Sequence, residues 1–253
     1  MRDAFSLTGR VALITGANTG IGQAIALAMA VAGAEVVCAG RSPMRETLAM
    51  IEAAGGRARA VQLDMAGPVA DLDVFGPGDP GTEPPVDILV NNAGIIRRAD
   101  ALEFTEADWD AVLDVNLKAA FFLSRAFARA IVSRSATGAI INVASLLSFQ
   151  GGVRVASYAA AKHGLAGVTK ALANEWAARG INVNAIAPGY IETNNTEALR
   201  ADPARARAIL DRIPAGRWGL PGDIAGAAVF LASPAARYIH GAVIPVDGGW
   251  LAR

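Results

Sequence analysis

The tightest constraint on this chain lies near its start. An apolar run at 11–14 has strand length, TGANTGIG follows at 15–22, and QAIALAMAVAG continues at helical spacing. Strand, glycine-rich turn and helix in that order make the first half of a βαβ unit, which commits the chain to parallel strands joined by crossover helices. Gly16, Gly20 and Gly22 allow a tight turn, a close backbone approach and close helix packing. The helix start, with Asn18, Thr19 and Ile21 beside the glycines, presents free N–H groups that suit an anionic pyrophosphate. The spacing is Gly-x-x-x-Gly-x-Gly rather than Gly-x-Gly-x-x-Gly, and glycines serving packing alone are the competing reading.

The same alternation runs through the rest of the chain. Further strands are expected at 35–39, 58–63, 87–90, along GAIINVAS up to Ser145, at 181–186 and at 242–246. Helical runs are expected at 44–54, 106–134, along the alanine-rich run ASYAAAKHGLAGVTKALANEWA, and at 204–211 and 223–231. The proline- and glycine-rich stretch 67–85 holds at most a short helical turn around 69–75 and then a loop. With 253 residues, 53% of them hydrophobic, and no linker or repeat, residues 1–253 read as one α/β domain. The expected architecture is a doubly wound, mostly parallel, seven-stranded sheet with helices on both faces. Pro188-Gly189 opens a polar segment, and the region around 190–215 reads as a lid.

Charge narrows the partners. Lys+Arg and Asp+Glu are both 23, so there is no general electrostatic reason to expect nucleic acid or an acidic membrane surface, and a small molecule is expected. No apolar run is long and clean enough to span a bilayer, and MRDAFSLTGR lacks a hydrophobic signal core. With one cysteine, Cys38, in a core-like run, this predicts a cytoplasmic protein. Alanine-rich helices suggest surface buried against other subunits.

Chemistry concentrates at 145–162. Tyr158 and Lys162 are four apart on a helical run and so share a face. A cation beside a phenol lowers its pKa from about 10 and makes it a usable general acid/base. Ser145, at a strand's C-terminal edge, can hydrogen-bond a substrate oxygen beside that phenol. The competing reading is a turn-capping serine and an ordinary amphipathic helix. Asn116, mid-helix, serves either a local hydrogen bond or a kink and water site that relays protons toward Lys162. Arg41, just past the second strand, either meets a ribose 2′-phosphate, favouring NADP, or is a solvated surface charge. Asp64 either accepts a hydrogen bond from adenine or caps a turn. His163 and His240 form no ligand cluster, and no metal is expected.

TGANTGIG at 15–22, NNAG at 91–94, Asn116, Ser145, Tyr158-Ala-Ala-Ala-Lys162, Pro188-Gly189 and Val246-Asp247-Gly248-Gly249 together resemble the short-chain dehydrogenase/reductase family, in the expected order. The resemblance implies a Rossmann fold, a nicotinamide-dependent oxidoreductase and a catalytic tetrad of Asn116, Ser145, Tyr158 and Lys162. Tyr158 would exchange a proton with the substrate oxygen, and Lys162 would bind the nicotinamide ribose. Asn91, Ala93, Gly94, Pro188, Gly189, Ile191 and Thr193 would line the cofactor, Asp64 and Met65 would approach adenine, and a homotetramer is expected. SFQGGVRV at 148–155, APGYIETNNTEALRAD at 187–202 and VDGGWLAR at the end resemble members of the family that act on small deoxy sugar acids. Ser145, Leu147, Gln150, Tyr158 and Tyr190 are then candidates to touch such a substrate. Its carboxylate would need a cation, for which Arg97, Arg98, Arg154 and Arg217 are candidates, Arg154 first. That branch usually prefers NAD, whereas Arg41 leans to NADP, so both cofactors stay open. A 3-oxoacyl thioester reductase and a non-catalytic cofactor-sensing protein are the alternative readings.

Overall fold

The computed structural model describes residues 2–67, 75 and 85–253. The expected turn around 69–75 and the loop after it lie outside the described residues, apart from Phe75.

Seven parallel strands form one sheet: β1 (Val11–Thr15), β2 (Glu35–Gly40), β3 (Arg57–Gln62), β4 (Ile88–Asn91), β5 (Gly138–Val143), β6 (Ile181–Pro188) and β7 (Val243–Val246). Their order is β3-β2-β1-β4-β5-β6-β7, so the chain winds outward from β1 in one direction and then returns to β4 and winds the other way. That reversal opens a crevice at the C-terminal ends of β1 and β4, where sheets of this kind bind ligands.

Alternate residues of each central strand feed two separate cores. Ala12, Ile14, Val36, Cys38, Ile88, Val90, Ile141 and Ile186 pack toward α1 (Gly20–Val31), α2 (Arg45–Ala53) and α8 (Pro221–Ala232). Leu13, Val37, Leu89, Ile140 and Val183 pack toward α4 (Ala119–Ser133) and α5 (Ala156–Trp176). Because both faces are covered, the central strands are continuously apolar, which is why they were legible as short unbroken runs. Phe75 packs edge-on against Phe127 at 5.5 Å in the second core.

The expected helix over 106–134 is interrupted in a specific way. α3 (Glu106–Leu113) and α4 are joined by a π-helical turn, Asp114–Lys118, with Asn116 at its centre. The wider turn frees backbone carbonyls, and the Asn116 side chain donates to Val112 O at 2.9 Å and to Ile95 O at 3.0 Å. Asn116 thus makes the local hydrogen bond of one of its two readings, from within a π-helical turn.

Between β6 and α8 the chain makes an excursion over the crevice. α6 (Glu197–Ala201) and α7 (Pro203–Leu210) lie on it, and its base is closed by Glu192 N to Gly219 O, 2.8 Å, and Gly219 N to Tyr190 O, 2.9 Å. Asp202 caps α7 by accepting from Ala204 N and Arg205 N, with Pro203 at the first helical position. No helix among the described residues is long and apolar enough to cross a membrane.

Candidate active site

The turn after β1 is built for backbone approach rather than side chains. Gly16 and Gly20 sit at φ +66° and +59°, the left-handed region that a side chain resists. A Cβ on Gly22 would collide with Gly16 O and Asn92 Nδ2. Asn92 explains part of the closeness: its Nδ2 donates to Thr15 O (2.9 Å) and Gly16 O (3.2 Å), and Thr15 Oγ1 accepts from Asn92 N and Ala93 N at 3.0 Å. Thr19 makes no side-chain cap and α1 has no acidic residue in its first turn, so its leading N–H groups remain available to an anion.

Ser145, Tyr158 and Lys162 converge on the same cleft. Ser145 follows β5 in extended conformation and accepts from Leu147 N at 3.1 Å. Its side chain hydrogen-bonds the Tyr158 hydroxyl, bringing together two residues thirteen positions apart. Lys162, one helical turn on, is buried; its Nζ donates to Val143 O at 2.7 Å and lies 5.5 Å from the Tyr158 ring centre. Ser148 Oγ donates to Lys162 O at 2.7 Å and so pins the start of α5 to the loop that carries Ser145.

Burial dominates the electrostatics of the pair. Burial pushes Tyr158 up to about 12, opposed by the Ser145 hydrogen bond and by the charge of Arg98. Burial also pushes Lys162 down to about 8. Desolvation is the largest influence on both groups.

The cleft, of about 1030 Å³, gathers most of the predicted residues. Gly16, Asn18, Thr19, Gly20, Ile21, Gly22, Arg41, Asp64 and Met65 line one end; Ala93, Gly94, Pro188, Gly189, Ile191 and Thr193 line the middle. Leu147, Gln150 and Tyr190 lie with the serine and tyrosine, and Gln150 Oε1 accepts from Trp250 Nε1 at 3.4 Å. Arg41 is 3.9 Å from Asp64 Oδ1, and both are more than half exposed, so this ion pair holds neither strongly. Asn116 does not line the cleft but stands just behind it: a Cβ on Gly94 would meet its Oδ1 at 2.5 Å. That oxygen is buried, and no protein donor among the described residues reaches it.

Two predicted positions are corrected. Asn91 is not at the cleft: its side chain turns into the second core, with Nδ2 donating to Asn142 Oδ1 at 2.8 Å and Ser124 Oγ at 2.9 Å. Asn142 Nδ2 donates in turn to Thr169 Oγ1 at 2.9 Å. This buried chain ties β4 and β5 to α4 and α5, a structural role that the strand alternation of 88–91 foreshadows. Arg154, ranked first for a carboxylate, adopts φ +64° in an exposed turn and is not among the lining residues. Of the other candidate cations, Arg217 is engaged with Asp223 at 2.7 Å outside the cleft. Arg97 lines the cleft but pairs with Asp108 at 3.3 Å. Arg98 lines it and, among the described residues, donates to the backbone at Asn195 O, 3.3 Å, with no carboxylate partner.

Sequence reasoning missed Arg205, Arg212 and Trp250, which line the cleft from the excursion and the C-terminal segment. The guanidinium of Arg212 sits 3.9 Å over the Trp250 ring. Trp250 is in turn fixed by Asp247, whose carboxylate accepts from Gly249 N and Leu251 N at 2.9 Å.

A nicotinamide dinucleotide fits these residues: a side-chain-free cradle and an uncapped helix start for pyrophosphate, and a long cleft leading from Arg41 to Tyr158. Comparison with known proteins agrees. A family profile described as enoyl-(acyl carrier protein) reductase matches residues 16–251. The 2-dehydro-3-deoxy-D-gluconate 5-dehydrogenase of Escherichia coli K12 is 53% identical over 99% of this chain and 98% of its own. A structure from Agrobacterium tumefaciens, provisionally named 2-deoxy-D-gluconate 3-dehydrogenase and holding NADP, superposes with a TM-score of 0.95 at 66% identity, over 99% of this chain and 100% of its own. A gluconate 5-dehydrogenase from Burkholderia cenocepacia in complex with NADP and tartrate gives 0.91 at 38% identity, over 100% and 99%. Fold, site and full-length similarity lead to one conclusion: this chain belongs to the short-chain dehydrogenase/reductase family.

Proposed function

We propose that this enzyme moves a hydride between NADP and a secondary alcohol or ketone of a deoxy sugar acid. The substrate is 2-dehydro-3-deoxy-D-gluconate, reacting at C5, or 2-deoxy-D-gluconate, reacting at C3. The single observation that carries the reaction type is the Ser145–Tyr158 hydrogen bond at the mouth of the dinucleotide cleft. The names of the full-length relatives support the sugar acid, and bound NADP in the neighbours, with Arg41 at the adenine end, supports the phosphorylated cofactor.

The nicotinamide, when bound, supplies the hydride acceptor or donor. The protein supplies position and a proton path. Ser145 orients the substrate oxygen; Tyr158 takes its proton as the carbonyl forms and returns it in the reverse direction. Lys162, anchored on Val143 O, holds the geometry around Tyr158 and reaches the ribose. The unpartnered Oδ1 of Asn116 holds a water that passes the proton on. The 190–215 segment acts as a lid that excludes water over the reacting groups. The single buried thiol, Cys38, suits a cytoplasmic setting, and the exposed Leu102, Val153 and Tyr238 suit burial in a homotetramer.

The test is nicotinamide reduction by purified protein with each acid, run with NADP⁺ and NAD⁺. Turnover of either acid is expected, faster with NADP⁺. Faster reduction of acetoacetyl thioester than of any sugar acid would instead favour a 3-oxoacyl thioester reductase.

A further inference from the structure

The cleft is electrostatically lopsided. Among its described lining residues, Asp64 at the adenine end is the only carboxylate, while the substrate end carries Arg98, Arg205 and Arg212 without one. Arg205, Ala208, Ile209 and Arg212 all line it, and their spacing of i, i+3, i+4 and i+7 is one face of α7 and its C-terminal extension. The opposite face shows the ordinary fate of a surface arginine: Arg207 pairs with Asp211 at 2.8 Å. Neither Arg205 nor Arg212 has a carboxylate partner among the described residues. Arg212 instead sits over the Trp250 ring at 3.9 Å, a contact that orders the guanidinium without using its N–H donors.

The geometry points to Arg205 and Arg212 as the receptor for the substrate's carboxylate. This rests on the sugar-acid reading above and refines it. Arg98 is the arginine whose charge reaches the Tyr158 hydroxyl, whereas Arg205 and Arg212 act on Tyr190, which packs at a tilt of 56° against Trp250, centroids 4.7 Å apart. In 2-dehydro-3-deoxy-D-gluconate the C5 alcohol lies four bonds from the carboxylate carbon; in 2-deoxy-D-gluconate the C3 alcohol lies two. With 2-dehydro-3-deoxy-D-gluconate the reaction is oxidation at C5. The C5 hydrogen leaves as hydride to NADP⁺ and the hydroxyl proton passes through Tyr158 to solvent, giving the 5-ketone and NADPH. Because both arginines ride on the excursion, the carboxylate also draws α7 onto the substrate.

The experiment compares wild type, Arg205→Met, Arg212→Met and Arg207→Met, each saturated with NADP⁺, on 2-dehydro-3-deoxy-D-gluconate and its methyl ester. Loss of a charge-assisted hydrogen bond predicts a KM for the acid raised about 10- to 100-fold in the Arg205 and Arg212 variants. The expected kcat stays within about threefold, the KM for NADP⁺ is unchanged, and Arg207→Met behaves as wild type. The methyl ester is expected to show no such penalty. An unchanged acid KM in both variants, or an equal rise for acid and ester, overturns the proposal. Calorimetric titration of 2-deoxy-D-gluconate and tartrate into the NADPH-loaded protein gives a readout without turnover. Acid binding weakened by these substitutions in a wild type that oxidises no sugar acid would sustain the carboxylate site and remove the sugar-acid function. No carboxylate bound by the wild type would overturn the site itself.

Discussion

Lys162 and Val143 are joined behind the site: Nζ donates to the last carbonyl of β5 at 2.7 Å, with the lysine buried. The ammonium therefore braces the strand end that carries Ser145, and its burial holds its pKa down at about 8.

That arrangement trades stability for function. A folded pKa of about 8 against an unfolded value near 10.5 means that the unfolded chain binds more protons between those values. Stability contributed by this group accordingly rises as pH climbs from about 8 to about 10.5, and the penalty is fully present below 8. At about 1.4 kcal/mol per pH unit the penalty is about 3 kcal/mol, of which about 1 offsets the lost bond to Val143 O in a methionine variant. Lys162→Met should thus be about 2 kcal/mol more stable than wild type at pH 7 while losing most turnover. Denaturant midpoints at pH 7 and pH 10 check this; a variant less stable at pH 7 would contradict it, and the gain should shrink at pH 10.

The raised Tyr158 makes the two reaction directions respond differently to pH. The phenol stays protonated until about 12, so it is ready to donate in ketone reduction throughout the neutral and mildly alkaline range. Oxidation needs it to accept a proton, and the phenolate fraction grows about tenfold per pH unit below that value. We expect kcat/KM for oxidation to climb from pH 7 to pH 9 while that for reduction stays nearly flat. Paired pH profiles at saturating cofactor test this, and parallel profiles would contradict it.

Arg41 is exposed and only loosely paired with Asp64, so its side chain is free to meet a phosphate. Replacing it with alanine should raise the KM for NADP⁺ about 10- to 100-fold and leave that for NAD⁺ within about threefold. Equal losses for both cofactors would refute the phosphate contact.

Much of this was written in the sequence. Strands at the sheet centre were readable because burial on both faces leaves unbroken apolar runs, and the glycine turn because Gly16 and Gly20 take conformations few other residues tolerate. What escaped detection has physical reasons as well. A π-turn at Asn116 preserves helical periodicity on either side and leaves only an ill-suited asparagine as its trace. The run ARARAILDR at 204–212 reads as a plain amphipathic helix; only the fold shows that Arg205 and Arg212 face a cleft while Arg207 faces an aspartate. Arg154 misled because proximity in sequence to Tyr158 says nothing about a left-handed turn that carries it away. Asn91 misled because in a strand end one residue shifts the side chain to the other face, and it is Asn92 that meets the glycine turn.

The most direct test of the account is the rate of NADPH formation from 2-dehydro-3-deoxy-D-gluconate by wild type and by Tyr158→Phe, with NADPH affinity measured on both. Removing one hydroxyl from the Ser145–Tyr158 pair should cut turnover at least about 100-fold, because a positioned acid/base contributes about that much or more, while cofactor affinity stays within about twofold. Turnover by the phenylalanine variant at the wild-type rate would contradict the account.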